Sequence, residues 1–115
     1  MFSLGSQHHY YLYRGACDMR KGFDGLSGLV VNELGRSPMD GSVFVFINRQ
    51  RNQMKLLHWE RGGLVLYQKR LERGRFSIPQ KADEQGQLSW PELVLLVEGI
   101  SYERLKKKKR FEWKK

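Results

Sequence analysis

Residues 43–76 read VFVFINRQRNQMKLLHWERGGLVLYQKRLERGRF, and this stretch decides the fold. Three apolar runs are separated by two short polar breaks. Val43 to Ile47 is β-branched and aromatic throughout, which predicts a strand buried on both faces. Met54 to Trp59 and Leu64 to Lys69 mix apolar and polar positions, as strands with one wetter face do. Asn48 to Asn52 and Glu60 to Gly63 are turn chemistry: Asn tolerates left-handed backbone, and Gly62-Gly63 supplies positive φ without steric cost. The product is an antiparallel meander. The rest of the chain is expected to cover one face of it or to extend its basic surface.

Working outward, Tyr11 to Tyr13 lies in an aromatic-rich segment and reads as an edge strand. Asp18 opens DMRKGFDGLSGLVVNELG, a predicted helix with Asp18 as N-cap and Gly35 as C-terminal cap. Phe23, Leu26, Val30 and Leu34 recur at three- and four-residue steps and form its apolar stripe. Gly22, Gly25 and Gly28 each cost about 1 kcal/mol relative to Ala in a helix. They bring the backbone close to the sheet or, as the second reading, close to a phosphate beside Arg20 and Lys21. Downstream, KRLERGRFSIP (69–79) would place Lys69, Arg70 and Arg73 on one face if helical, with Gly74 and Pro79 limiting its length. Lys81 to Gln87 reads as a surface loop. Ser89 and Glu92 form an S-x-x-E capping box with Pro91 in the first turn. Leu93, Leu96 and Val97 supply the stripe and Gly99 the stop. This second helix is expected to pack on the meander. The fold class is therefore α+β: a small antiparallel meander of three to five strands with about two helices. One domain over residues 1–104 is followed by a basic tail, 105–115.

A chain of 115 residues with 40% hydrophobic and 29% charged residues fits one globular domain with a modest core. No apolar run approaches the roughly 20 residues of a membrane span. The N-terminus lacks the basic start of a secretory signal. Cys17 is the one cysteine, a packing residue with no disulfide partner, which points to the cytoplasm. The net charge of +9 and pI near 9.9 point to a polyanion. Nucleic acid comes first and an anionic membrane surface second; a solvated basic surface without a ligand is the bland alternative.

The chemistry of an enzyme is missing. A metal-dependent nuclease needs several carboxylates around Mg²⁺. Here Asp18, Asp40 and Glu92 are explained as cap, turn and capping-box residues. Asp24 and Glu60 are left without a paired acid nearby. His58 alternates with Met54 and Leu56, so it reads as a packed histidine. His8 and His9 would point to opposite faces of a strand, which does not suit a metal. No phosphate-binding loop, dinucleotide fingerprint, zinc spacing or nucleophile elbow occurs. No catalytic residue, metal or cofactor is expected.

The positive signal is basic residues interleaved with aromatics. Arg49 and Arg51 fall at a hairpin tip. Lys55 and Trp59 share one strand face, and Tyr67 and Lys69 share a face of the next strand. Lys69, Arg70, Arg73 and Arg75 continue the charge, and the tail adds Lys106, Lys107, Lys108, Lys109 and Arg110. Such residues bind phosphates through charge and counterion release, and exposed aromatics stack on unpaired bases. Core packing is the alternative role for Trp59 and Tyr67.

DMRKGFDGL (18–26), FVFIN (44–48), KLLHW (55–59), KRLERGRF (69–76) and LLVEGI (95–100) occur in this order. Together they resemble the small accessory protein of the sixty-six family of insertion sequences, the product of the second open reading frame of these elements. The likeness spans about residues 10 to 102. It implies a helper of bacterial DNA transposition, encoded beside a separate, larger transposase that carries the catalytic acids. It carries over no catalytic residue. It makes Arg20, Lys21, Lys55, Lys69, Arg70 and Arg73 the preferred DNA contacts; the tail rests on charge alone. The implied partners are DNA, at the element's ends, and the transposase. An adaptor that docks the transposase, or a single-stranded RNA-binding module, are the alternatives.

Overall fold

A computed structural model describes residues 4–79 and 86–99. Seven elements follow in order: β1 (Tyr10–Leu12), α1 (Phe23–Leu34), β2 (Val43–Ile47), β3 (Gln53–Glu60), β4 (Gly63–Arg70), β5 (Gln87–Leu88) and α2 (Trp90–Glu98). They form one five-stranded sheet in the order β4-β3-β2-β1-β5. The expected meander is β2-β3-β4, antiparallel throughout, with Val45 opposite Leu56 and Leu56 opposite Tyr67.

The first correction concerns the N-terminal strand. It is not an edge: β1 lies between β2 and β5, parallel to β2 and antiparallel to β5. The sheet is therefore mixed, though mostly antiparallel. A parallel pair needs a long crossover, and the segment holding α1 supplies it. β5, at the end of what reads as a loop, covers the outer edge of β1. Gly86 makes that possible. Its φ is +78°, its carbonyl accepts the Leu12 amide at 2.7 Å, and any Cβ there would collide with the Leu12 carbonyl.

The second correction is that both faces are covered. Antiparallel partners share a face, so alternate residues sort into two cores. On one side α1 lays Leu26 and Val30 over Tyr11, Phe44, Phe46 and Leu57. On the other, α2 lays Leu93, Leu96 and Val97 over Val43, Val45, Ile47, Met54 and Leu56. This is why all five residues of β2 are buried, as the sequence implies. β3 is wetter only at its ends, and Lys55 and His58 are buried within it. β4, the open edge, is the half-exposed strand.

The helices differ in how they begin. α2 has the expected capping box: Ser89 Oγ accepts the Glu92 amide, and the Glu92 carboxylate accepts the Ser89 amide at 2.9 Å. Gly99 closes it in left-handed backbone. α1 starts at Phe23, five residues after Asp18, with Gly22 as a cap that offers no side chain. Asp18 instead accepts the Arg20 amide in a local turn. Nor do the glycines press on the sheet: a Cβ at Gly22 or Gly28 would meet nothing within 4 Å, and one at Gly25 only Lys21. Phe23, expected in the apolar stripe, is 46% exposed. Residues 71–79 are irregular rather than helical. No helix among the described residues is long and apolar enough to cross a membrane.

Candidate nucleic-acid interface

The candidate basic residues among the described ones fall into three groups that the sequence does not separate. The first gathers at one end of the sheet. The β2–β3 turn carries Arg49 and Arg51, both exposed. β4 ends beside it, with Arg70 opposite Gln53. The chain then bends across the turn: the Leu71 amide donates to the Asn52 carbonyl at 2.8 Å and the Phe76 amide to the Arg51 carbonyl at 2.6 Å. Phe76 is buried in the α2-side core, which anchors the bend. Arg73 and Arg75, between those anchors, are exposed. Two segments about twenty residues apart thus bring Arg49, Arg51, Arg70, Arg73 and Arg75 to one edge of the molecule. Arg70 is paired with Glu72 at 3.2 Å, with both side chains mostly exposed; such a pair contributes at most about 1 kcal/mol and yields readily to a phosphate.

The turn itself is braced from inside. Asn48 is buried, and its Oδ1 accepts the amides of Asn52 and Gln53, each at 3.0 Å. Its Nδ2 donates to Asn52 Oδ1 at 2.7 Å and to Gln50 Oε1 at 3.3 Å. Asn48 therefore acts through its side chain and not, as expected, by adopting left-handed backbone. Arg51 does that, with φ +58°.

The second group borders the first. Arg20 and Lys21 lie in the loop that enters α1, and Cys17 ties this loop to β2 through its amide and the Ile47 carbonyl at 2.9 Å. Asp18 and Met19 share a recess of about 410 Å³ with Asn48, Arg49 and Gln50. The Arg20 guanidinium holds Asp18 at 2.7 Å. Its hydrogen bonds to the carboxylate, joined by the Arg20 amide, lower the Asp18 carboxyl to about 2. The pairing thus contributes above the ordinary carboxylate range and is lost as pH falls toward about 2. Cys17 is buried, and burial pushes its thiol up, away from reactive thiolate.

The third group has been drawn into the structure. Lys55 and Lys69 lie on opposite faces of the sheet, because Lys55 pairs with Gln68 and Lys69 with Met54. The buried Lys55 ammonium donates to the carbonyls of Met19 and Lys21, both at 2.8 Å, and fastens the α1 entry to the sheet. Lys69 donates to the Val97 carbonyl at 2.6 Å, in the last turn of α2, where a cation also suits the helix dipole. Both are structural staples whose charge is committed to backbone carbonyls. Lys106, Lys107, Lys108, Lys109 and Arg110 lie outside the described residues, as does the expected domain boundary at residue 104.

The far end of the sheet has different chemistry. His58 is packed, as expected: Nδ1 lies 3.3 Å from the Ser42 carbonyl, Nε2 3.6 Å from the Glu60 carboxylate, and the His8 ring meets it edge-on. Among the described residues no three or more of His, Cys, Asp and Glu cluster as metal ligands would. Tyr67 packs against the α2-side core, and Trp59 is half-buried near the β3–β4 turn, remote from the arginine end.

Comparison with known proteins identifies the lineage. The family description "IS66 Orf2 like protein" matches residues 8–107. The chain is 35% identical to the uncharacterized protein y4jC of Sinorhizobium fredii (strain NBRC 101917 / NGR234) over 91 residues, 79% of this chain and 78% of the relative. It is 33% identical to y4hO of the same organism over 102 residues, 89% of each chain. No solved structure matches. The chain belongs to the IS66 Orf2-like family, which links it to insertion-sequence transposition as an accessory protein.

Proposed function

We propose that this protein is a non-catalytic accessory factor of insertion-sequence transposition that grips duplex DNA with the arginine end of its sheet. One observation carries the reading. Backbone hydrogen bonds fold residues 71–76 across the β2–β3 turn, so Arg49, Arg51, Arg70, Arg73 and Arg75 share one exposed edge. Arginine forks suit phosphate oxygens, and five such contacts release enough counterions to dominate affinity. Lys106, Lys107, Lys108, Lys109 and Arg110, outside the described residues, add further positive charge to the chain.

The alternatives have less to stand on. An adaptor needs an exposed apolar patch, from Trp59, Tyr67 or the Leu93–Val97 helix. Leu93, Leu96 and Val97 are buried against the sheet, Tyr67 packs on the same core and Trp59 is half-buried, which leaves Val94 as the exposed apolar side chain among them. A single-strand binder needs exposed aromatics among its cations. Among the described residues Phe76 is buried, Tyr67 is packed, and Phe23 is the exposed ring near Lys21.

Anisotropy titration of a labelled 30-bp duplex across a salt series tests the proposal. Five neutralised phosphates give a log–log slope of about −4 to −5. Reversing charge at Arg70, Arg73 and Arg75 makes that slope shallower by about 2 to 3 without unfolding the protein. A flat salt response, or tighter binding to single-stranded competitor, sinks the duplex reading. Co-purification with the transposase after nuclease treatment, without any affinity for DNA, would favour the adaptor.

A further inference from the structure

The five arginines are not equivalent. Arg73 and Arg75 flank Gly74 in an irregular segment whose backbone is anchored through the Leu71 and Phe76 amides. Arg49 and Arg51 stand on a tightly braced turn. The buried Asn48 side chain makes four hydrogen bonds within that turn. The Arg51 amide donates to the Asn48 carbonyl at 3.0 Å, and its carbonyl accepts the Phe76 amide at 2.6 Å. Its backbone is thus held on both sides in a left-handed conformation that glycine or asparagine would adopt more readily. Among the described residues neither Arg49 nor Arg51 has an ion-pair partner, whereas Arg20 and Arg70 each hold a carboxylate.

Phosphate binding does not call for such bracing, because charge attraction is tolerant of position. Reading a base edge does: an arginine fork must meet the O6 and N7 acceptors of guanine together, within a fraction of an ångström and 10–20°. We infer that Arg49 and Arg51 read base edges in a groove of duplex DNA, while Arg70, Arg73 and Arg75 hold the flanking phosphates. This rests on the DNA-binding reading above and adds sequence preference to it: on duplex without the motif all five arginines meet phosphates, and on the motif three do, with a slope nearer about −3.

The probe is a random-sequence 30-bp duplex library, selected with the full-length protein and sequenced, followed by titration of the enriched duplex against a scrambled one. The wild-type protein should enrich a short motif containing guanine. The double variant Arg49→Ala, Arg51→Gly should lose the motif, with discrimination falling roughly 5- to 150-fold for each fork removed. Glycine at position 51 keeps the left-handed backbone, so the turn survives. Arg49→Lys keeps the charge but not the fork; it should lower discrimination and leave the salt slope unchanged. The pair Arg73→Ala, Arg75→Ala should weaken both duplexes equally, with the slope shallower by about 2. If the Arg49 and Arg51 variants still select the wild-type motif, base reading is overturned. If the wild-type protein binds the library but enriches nothing, base reading also falls, while the DNA grip stands. If it binds no duplex at low salt, both readings fall together.

Discussion

The two turns that bracket β3 both hold an arginine in left-handed backbone, and they do so for different reasons. At the far end Arg61 and Gly62 join β3 to β4 directly, since Glu60 and Gly63 are already the last pair of the ladder. A two-residue hairpin of type I′ has positive φ at both central positions, and the values are +50° and +81°. Loop length and the twist of the strands favour that geometry. At the arginine end the connection is longer, and Arg51 is held by contacts: the Asn48 side chain on one side and residues 71–76 on the other. The first turn is shaped by the sheet it closes. The second is shaped by groups brought to it, which makes it a platform as well as a connection.

That contrast can be broken most forcefully at Lys55. Its ammonium satisfies two carbonyls at the α1 entry, on the side of the sheet where Arg20 and Lys21 enter the fold. Lys55→Met would leave both carbonyls without their cation in a partly buried site. It should lower unfolding free energy by about 2–4 kcal/mol in urea titration. A loss below about 0.5 kcal/mol would mean that the α1 entry needs no staple. Asn48→Ala comes next, at about 2–3 kcal/mol, because the partner lost is a neutral amide and not a cation. It should also raise amide exchange across residues 49–53 and leave residues 60–63 unchanged. Equal loosening of both turns would remove the distinction between them.

Much of this was legible in the sequence, and the part that was not has a common cause. The β2 run, the hairpin order and the α2 capping box are local patterns, and each formed where expected. β1 and β5 have three and two residues, too few to show a period; only pairing with distant chain defines them. Lys55 and Lys69 look like surface cations because the carbonyls they bind lie 34–36 and 28 residues away. The arginine cluster was half visible. Its members could be named, but not that the chain after β4 turns back over the β2–β3 tip. A helix over 69–79, the expectation considered for that segment, would have carried Arg73 and Arg75 away from Arg49.

The smallest effect separates the two arginines most cleanly. Left-handed backbone disfavours an ordinary side chain by about 1 kcal/mol, and Asn-Gly is the preferred pair for a two-residue hairpin. Arg61→Asn should therefore raise stability by about 0.5–1 kcal/mol, read as a shift of the urea midpoint at constant m value. The same physics applies to Arg51→Gly, although added freedom of the unfolded chain offsets part of the gain there. The variants should part company on DNA. Arg61 lies at the end of the sheet away from the arginine cluster, so Arg61→Asn should cost affinity only through its one lost charge, while Arg51→Gly should also lose discrimination between duplex sequences. If the two variants gain similar stability and change DNA binding to the same degree, Arg51 is, like Arg61, only a consequence of how the hairpin closes.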